Sequence, residues 1–299
     1  MFHRKSPSQE EGSPDVTGFH DPDTGSIQYV VACPATKKAA LIDTVLDFDP
    51  AHARTRTDSA QAALDFVKEE GLEVEWVLDT HPHADHMMAS HWLTQQTGAP
   101  NAIGEKVHEI AHLWADFYNM PGVFDPDRDF SRLFADGDTF RIGELDVRVM
   151  LSPGHTLGSI TYVVGRDAAF VHDTFMHVDV GTSRADFPGG SSSVLYDSLQ
   201  RILELPDETR LFIGHDYPPV DDREEAAWEA TVAQHRKDNP HVGGGSTRAD
   251  YVKLRDERDA TLALPDRMLH ALQVNLRGGR LPEAESDGHS YFKIPANRF

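Results

Sequence analysis

The chain has 299 residues, a formal net charge of −21, and 39% hydrophobic and 26% charged residues, values that are typical of a globular protein with a substantial core. The strong negative charge argues against nucleic acid or an anionic membrane as a partner, because both would be repelled. The sequence contains no apolar run near the length of about 18 residues that a membrane span needs, and no apolar leader, so we expect a cytoplasmic protein.

Cys33 is the single cysteine of the chain, which excludes an intramolecular disulfide and a Cys-x-x-Cys redox pair. It lies in an apolar, strand-like run, and we interpret it as a buried, inert thiol. Any sulfur chemistry must therefore use a sulfur atom that the substrate brings.

The first part of the chain predicts a hairpin followed by a βαβ-type unit. Residues 1–16 are polar and are expected to form a loose N-terminal segment. Two apolar runs, 27–32 and 39–45, then predict paired strands. A helix that opens at Ser59 leads to a short buried strand over residues 74–79.

A loop rich in histidine follows this strand directly, and it reads Thr80-His81-Pro82-His83-Ala84-Asp85-His86. Imidazole and carboxylate suit zinc, iron or manganese, and unlike a set of cysteines they leave the ion able to bind water or oxygen. The pattern therefore predicts a catalytic metal site at the end of a strand. The alternative is a polar surface loop that happens to contain several histidines.

This motif is the signature of the metallo-β-lactamase superfamily, which the chain resembles. The resemblance implies an α/β fold, the four-layer αβ/βα sandwich, with the metal site at one edge between the two sheets. It also implies that the remaining ligands come from the ends of later strands.

The predicted elements after the motif provide those strand ends. We predict helices over 88–96, 107–117 and 191–205, strands over 102–104, 139–142, 145–150, 159–164, 168–171 and 209–213, and a loop over 119–132. His155 lies in a glycine-containing turn, and Asp173 and His215 each follow a predicted strand. These match the later ligand positions of the superfamily, whereas His172 stands where its members usually have glycine.

The sequence becomes helix-rich near its end, with predicted helices over 224–238 and 249–264 that are separated by glycines 243–245. We therefore divide the chain into a flexible N-terminal segment over 1–16, a catalytic domain over 17–220 and a helical C-terminal extension over 221–299.

Four segments resemble one branch of the superfamily, the persulfide dioxygenases, which are related to glyoxalase II. The most specific is the Gly-x-x-Arg-x-Asp-Phe pattern around Arg184, and residues 40–43 with 45–47, 215–219 and 291–295 also look like bacterial members of the branch. In that branch one Fe(II) is held by two histidines and one aspartate, which here would be His81, His155 and Asp173. The implied reaction oxidises glutathione persulfide, or a similar low-molecular-weight persulfide, with O₂ to sulfite and thiol.

The same resemblance implies roles for other side chains. Four residues would surround the iron and support it or orient the substrate, namely His83, Asp85, His86 and His215. Of these, Asp85, His86 and His215 would be catalytic. Arg184 is the main candidate to grip a substrate carboxylate through two parallel hydrogen bonds, with Lys293 and Arg298 as further candidates. The alternative for Arg184 is an ion pair with Asp186 that holds its own loop.

Two other functions remain open at the level of sequence. A glyoxalase II-like hydrolase of glutathione thioesters would use two Zn(II) ions that share Asp173, and every ligand for a second metal is present among His83, Asp85, His86 and His215. A metal sensor or a partner-binding module is the third class, although no partner-binding stripe is visible. The sequence leaves a homo-oligomer possible.

Overall fold

The computed structural model describes residues 1–221 and 223–298, so that Asp222 and Phe299 lie outside the described part. The strands are β1 (Phe2–Ser6), β2 (Asp15–His20), β3 (Ile27–Ala32), β4 (Lys38–Ile42), β5 (Val45–Asp49), β6 (Arg54–Arg56), β7 (Glu73–Leu78), β8 (Met87–Met88), β9 (Asn101–Gly104), β10 (Arg132–Phe134), β11 (Thr139–Ile142), β12 (Leu145–Leu151), β13 (Ile160–Val164), β14 (Ala168–His172), β15 (Arg210–Ile213) and β16 (Glu229–Thr231). The helices are α1 (Asp58–Glu69), α2 (Ser90–Thr97), α3 (Val107–Tyr118), α4 (Pro126–Asp129), α5 (Ser192–Leu203), α6 (Val232–Asp238), α7 (Arg248–Asp259) and α8 (Met268–Asn275). No helix among the described residues is both long and apolar enough to cross a membrane.

Two large sheets form the centre of the molecule. The first has seven strands in the order β1-β2-β3-β4-β7-β9-β10, and the second has six in the order β11-β12-β13-β14-β15-β16. A third, small sheet has the order β6-β5-β8. This mixed α/β architecture confirms the fold that the sequence predicted.

The main core lies between the two large sheets. Tyr29 of β3 packs edge-on against Phe170 and Phe212 of the six-stranded sheet, with ring centroids 5.2 and 5.7 Å away. Its hydroxyl donates to the carbonyl oxygen of Ile213 at 2.5 Å. Because successive side chains of a strand point to opposite faces, the next residue, Val30, packs in a second core with α1 and α2. Both faces of β3 are therefore buried.

Backbone hydrogen bonds join the two sheets where several strands end. The amide of Ile160 donates to the carbonyl of Thr80 at 3.0 Å, and the amide of Ile27 donates to the carbonyl of Gly214 at 2.8 Å. Thr80 follows the carboxyl end of β7, and Gly214 follows that of β15. The loops after these two strands are thereby held at one edge of the sandwich.

Some predicted elements were wrong. Residues 1–16 are not loose throughout, because Phe2–Ser6 forms an edge strand that pairs with β2. The side chains of β1 are mostly exposed, so no apolar pattern indicated this strand, although Phe2 and His3 contact the rings of Trp228 and Phe19. The helix predicted over 224–238 begins only at Val232, because Glu229–Thr231 pairs with β15. The elements that were not predicted are the strands β2, β5, β6, β8 and β10 and the helices α4 and α8.

The predicted division at residue 220 stays a prediction. Strand β16 belongs by sequence to the C-terminal extension, yet it extends the six-stranded sheet. The other predicted strands and helices lie within a few residues of observed ones, as expected for segments with a clear hydrophobic period.

Gly154, in the turn before His155, offers a test of this packing. Its φ is +126°, and a Cβ atom there would lie 2.3 Å from the Cα of Leu195 in α5. We expect Gly154→Ala to lower the free energy of unfolding by about 3 kcal/mol or more, because backbone cannot move aside cheaply. Gly98→Ala is the control, since its φ is +75° with no atom within 4 Å, and it should cost about 1 kcal/mol. Equal losses in urea unfolding would contradict the close contact.

Candidate metal centre

The loops after β7, β12 and β14 bring His81, His155 and Asp173 together. Each offers a ligand atom, and these atoms lie within 4.8 Å of one another. Oδ2 of Asp173 is 3.5 Å from Nε2 of His81 and 3.6 Å from Nε2 of His155. All three side chains are buried. Residues 92 positions apart in the sequence thus form one compact group of nitrogen and oxygen donors.

The hydrogen bonds of the two histidines fit a metal ion. His155 donates from Nδ1 to the carbonyl of Arg184 at 2.8 Å, which leaves a lone pair on Nε2. Nε2 of His81 is buried and has no hydrogen-bond partner in the described part of the chain, an arrangement that costs free energy unless a ligand satisfies it. Burial lowers the pKa of His155 to about 4, so the ring is neutral and able to bind a metal near pH 7.

His215 links this group to Asp85 of the motif. Its Nδ1 lies 2.5 Å from Oδ1 of Asp173, and its Nε2 lies 2.6 Å from Oδ2 of Asp85. Burial opposes a charge on His215, but the two carboxylates raise its pKa well above the ordinary value. Ser26, which the sequence did not single out, donates to the same Oδ2 of Asp85 at 3.1 Å. Asp85, Asp173 and His215 form a second possible ligand group.

Asp43 fixes the motif loop from the neighbouring strand end. It accepts hydrogen bonds from the amide of Thr80 at 2.7 Å and from its hydroxyl at 2.8 Å, and Oδ1 lies 3.1 Å from Nε2 of His83. Burial raises the pKa of Asp43 and lowers that of His83. His83, Asp85 and His86 form a further possible ligand group. The structure therefore brings together every motif residue that the sequence proposed.

His172, the departure from the family pattern, is buried beside His81. The two ring centroids are 4.8 Å apart, and Nε2 of His172 lies 3.2 Å from the hydroxyl of Thr174. Burial lowers its pKa well below the ordinary value. Its φ of +38° coincides with a register shift in β14, so the backbone bends immediately before Asp173.

A cavity of about 310 Å³ opens onto this centre. Asp85, His155, Asp173 and His215 belong to its lining. The lining also includes Ser183, Arg184, Phe187, Arg255, Arg258 and Leu262. Residues of the C-terminal extension therefore border the space in which a substrate would meet the metal.

Arg184 lines the cavity, but its guanidinium is already engaged. Nε and Nη2 donate to Asp186 at 2.6 and 2.8 Å, and Nη1 donates to the carbonyl of Ala263 at 2.7 Å. These bonds match the structural role that the sequence left as the alternative for this residue. Arg258, which the sequence did not single out, also lines the cavity, and its guanidinium has no ion pair or hydrogen bond within the described ranges.

The other two substrate-binding candidates lie elsewhere. Nζ of Lys293 donates to the carbonyl of Asn119 at 2.8 Å, and the guanidinium of Arg298 lies 5.1 Å from the ring centroid of Phe117. Neither belongs to the described cavity wall. Sequence could not find Arg258 in their place, because Arg258 lies in a run of alternating charges that reads as a solvated helix face.

Comparison with protein families identifies the superfamily to which the chain belongs. Residues 22–215 match the model of the Metallo-beta-lactamase superfamily, and the chain belongs to this superfamily. The fold and the cluster of candidate ligand residues are those expected of a metal-binding member of this superfamily.

Individual relatives carry different names. The "Beta-lactamase hydrolase-like protein" of Xylella fastidiosa (strain 9a5c) is 54% identical over 285 residues, which are 95% of this chain and 65% of that protein, so the chain spans less than two thirds of it. The human "Persulfide dioxygenase ETHE1, mitochondrial" is 26% identical over 261 residues, which are 87% of this chain and 86% of that protein. The crystal structure of ETHE1 from Myxococcus xanthus is 28% identical with a TM-score of 0.70, and the match covers 94% of this chain and all of that one.

A buried histidine holds the segment that contacts His155. The amide of Thr182 donates to Nδ1 of His241 at 3.0 Å, so this nitrogen must be unprotonated. Burial, and then the charges of Arg255 and Arg258, lower the pKa of His241 to about 4. The neutral form of His241 is therefore part of the folded structure.

We predict that protonation of His241 destabilises the protein in mild acid. Between the ordinary pKa of 6.5 and the folded value of about 4, the unfolded chain binds more protons, so the free energy of unfolding falls as the pH falls through this range. His241→Asn keeps an acceptor near the position of Nδ1 but does not titrate. The melting temperature of the wild type should drop more steeply from pH 7 to pH 4.5 than that of the variant. Parallel curves would show that His241 does not contribute.

Proposed function

We propose that the protein is an iron-dependent persulfide dioxygenase. It would oxidise glutathione persulfide, or a similar low-molecular-weight persulfide, so that the terminal sulfur takes up both atoms of O₂ and water completes the release of sulfite and thiol. The 28% identity and TM-score of 0.70 to ETHE1 from Myxococcus xanthus support this choice, as does the human relative named persulfide dioxygenase.

The observation that carries the proposal is that the two carboxylate oxygens of Asp173 face different partners. Oδ2 faces Nε2 of His81 and Nε2 of His155, whereas Oδ1 is 2.5 Å from Nδ1 of His215. Nε2 of His215 is in turn 2.6 Å from Asp85. Both ring nitrogens of His215 are thus paired with carboxylates at hydrogen-bond distance, while Nε2 of His81 has no hydrogen-bond partner among the described residues. This division favours one metal on two histidines and one carboxylate.

His81, His155 and Asp173 would hold Fe(II), one per chain, which supplies open positions where the persulfide sulfur and O₂ meet. The chain's own residues would prepare the site. The carbonyl of Arg184 orients His155, and His215 fixes the free oxygen of Asp173. Asp85 lines the cavity; burial opposes its charge, but His215, which lies 2.6 Å away, lowers the pKa of Asp85 and keeps its carboxylate charged beside the substrate space. His86 packs on His83 with ring centroids 4.1 Å apart and supports the motif loop.

A second candidate function is a binuclear hydrolase of glutathione thioesters. Asp85, Asp173 and His215 offer ligand atoms within 4.8 Å of one another, which would suit a second ion if the His215 pairs opened. Two Zn(II) ions would then lower the pKa of a bridging water and stabilise the developing charge. The hydrolase-like name of the Xylella relative supports this candidate.

One experiment separates the two functions. Protein purified without oxygen is analysed for metal content, and then tested for O₂ uptake with glutathione persulfide and for hydrolysis of a glutathione thioester. We expect one iron per chain, O₂ uptake and sulfite formation. Two zinc ions per chain together with thioester hydrolysis would support the hydrolase instead.

Replacement of the proposed ligands should separate them from the surrounding histidines. We expect His81→Ala, His155→Ala and Asp173→Ala to lose iron, since two remaining protein ligands bind a divalent ion poorly. His215→Ala should keep iron with roughly 10- to 100-fold weaker affinity or activity, as is usual for a residue that orients a ligand. Asp85→Ala and His86→Ala should behave alike. Iron analysis is the measurement, and complete metal loss in His215→Ala would favour the binuclear site.

The charge of the cavity supports an anionic substrate. The protein carries a net charge of −21, so an anion such as glutathione persulfide needs a local cation. Arg184 was the first candidate, but its pairing with Asp186 leaves it less free to contact substrate. Arg258 is exposed, lines the same cavity and lacks a described ionic partner. We therefore infer that Arg258 contacts a carboxylate of the substrate, with Arg184 shaping the wall beside it.

This inference predicts a selective kinetic effect. Arg258→Ala should raise KM for glutathione persulfide about tenfold with little change in kcat, because a contact far from the reacting sulfur contributes equally to ground and transition states. Lys253→Ala removes a positive charge from the exposed face of the same helix and should leave KM unchanged. Equal KM values for the two variants in steady-state O₂ uptake would exclude Arg258 as the clamp.

A further inference from the structure

We propose that the C-terminal extension sets the metal affinity of the site by holding two ligand loops in position. Asn275 of α8 holds the motif loop, and the Arg255–Asp259 pair of α7 holds the segment that orients His155. The proposal does not depend on the reaction, because both loops carry metal ligands in the dioxygenase and in the hydrolase.

Asn275 makes three hydrogen bonds to the backbone of the motif loop. Its Nδ2 donates to the carbonyls of His83 at 2.7 Å and His86 at 2.9 Å, and its Oδ1 accepts from the amide of Met88 at 2.7 Å. The side chain is fully buried. These bonds span Asp85, so they fix the backbone on both sides of a side chain that lines the cavity.

On α7, Arg255 and Asp259 form a buried ion pair. The polar atoms of this pair that do not bond each other bond the backbone of residues 182–185, beside His155. Oδ1 of Asp259 accepts from Nε of Arg255 at 2.9 Å, while its Oδ2 accepts from the amide of Ala185 at 2.8 Å. Nη1 of Arg255 donates to the carbonyl of Thr182 at 2.8 Å. Arg255 is 1% exposed and Asp259 is 5% exposed. The pair therefore grips the segment at Thr182 and at Ala185.

The carbonyl of Arg184 lies between these two points and accepts the hydrogen bond from Nδ1 of His155. A partner that orients a ligand histidine fixes both its tautomer and the direction of its metal-binding nitrogen. The chain of contacts runs from Asp259 through the Arg184 peptide to His155. Arg255 and Asp259 are thus positioning residues, since they act on the metal through His155.

Stability alone gives no reason for this arrangement. A buried ion pair loses hydration, and well-packed apolar residues of similar volume often stabilise a fold as well or better. The Arg255–Asp259 pair differs from such a replacement because it also bonds the loop that orients His155. This difference separates a positioning role from a purely structural one.

The test measures the affinity for Co(II) alone, by competition with a chelator, together with the visible absorption spectrum of the bound Co(II). We expect Asp259→Asn to weaken binding roughly 10- to 100-fold and to change the spectrum. Arg255 and Ala185 donate to different oxygens of Asp259. An amide has only one oxygen, so the asparagine cannot accept at both positions. Asp256→Asn is the matched control, because it removes the same charge from an exposed position on α7. The control should bind Co(II) like the wild type.

A second variant guards against misfolding, since Asp259→Asn leaves Arg255 buried without its partner. The double variant Arg255→Met with Asp259→Leu removes both charges and keeps the net charge constant. It should melt near the wild-type temperature and still bind Co(II) about tenfold or more weakly. Wild-type affinity and spectrum in this variant would overturn the α7 part of the proposal. Failure of both Asp259 variants to fold would also overturn it, by making the pair a requirement of the fold.

Asn275→Leu tests the α8 contact in the same assay. Leucine has a similar volume but makes no hydrogen bond, so the motif loop should lose its fixed position and bind Co(II) more weakly. Wild-type Co(II) binding or an unfolded variant would remove Asn275 from the proposal. None of these measurements uses a persulfide, so their outcome is separate from that of the proposed reaction.

Discussion

The hydrogen bonds that join the two sheets at one edge are the constraint on which the site depends. Ile27 and Ile160 belong to strands of different sheets. The amide of each donates to the carbonyl of a residue that directly precedes a histidine of the site. Thr80 precedes His81, and Gly214 precedes His215. A shift of one sheet against the other would break these bonds and separate the two halves of the ligand set. Packing of Tyr29 between the sheets also opposes such a shift.

The pKa values of the buried imidazoles in the centre depend on burial and on the nearby carboxylates. Asp85 and Asp173 raise the pKa of His215, whereas burial lowers the pKa of His155 to about 4. One histidine is thus paired with carboxylates and the other is neutral and ready to ligate. The superfamily uses the same ligand positions for different reactions, so the fold alone does not decide the chemistry. Here the difference between one metal and two rests on whether His215 stays paired with its carboxylates.

The C-terminal extension is closely integrated with the catalytic part. Strand β16 adds to the six-stranded sheet, α7 forms part of the cavity wall, and α8 contacts the motif loop through Asn275. Substrate contact and ligand positioning would then arise from the same segment.

The sequence by itself determined the fold, because hydrophobic period located most strands and the histidine-rich motif resembles one superfamily. It also predicted which histidines and aspartates at the strand ends would be metal ligands, and the structure clusters these side chains. Only the tertiary structure decided how those side chains pair, since the hydrogen bonds of His215 join residues far apart in the chain. It also separated Arg184, engaged by Asp186, from Arg258, which is free within the described residues. Charge alone is the same for every arginine in a sequence, whereas its partners are set by packing.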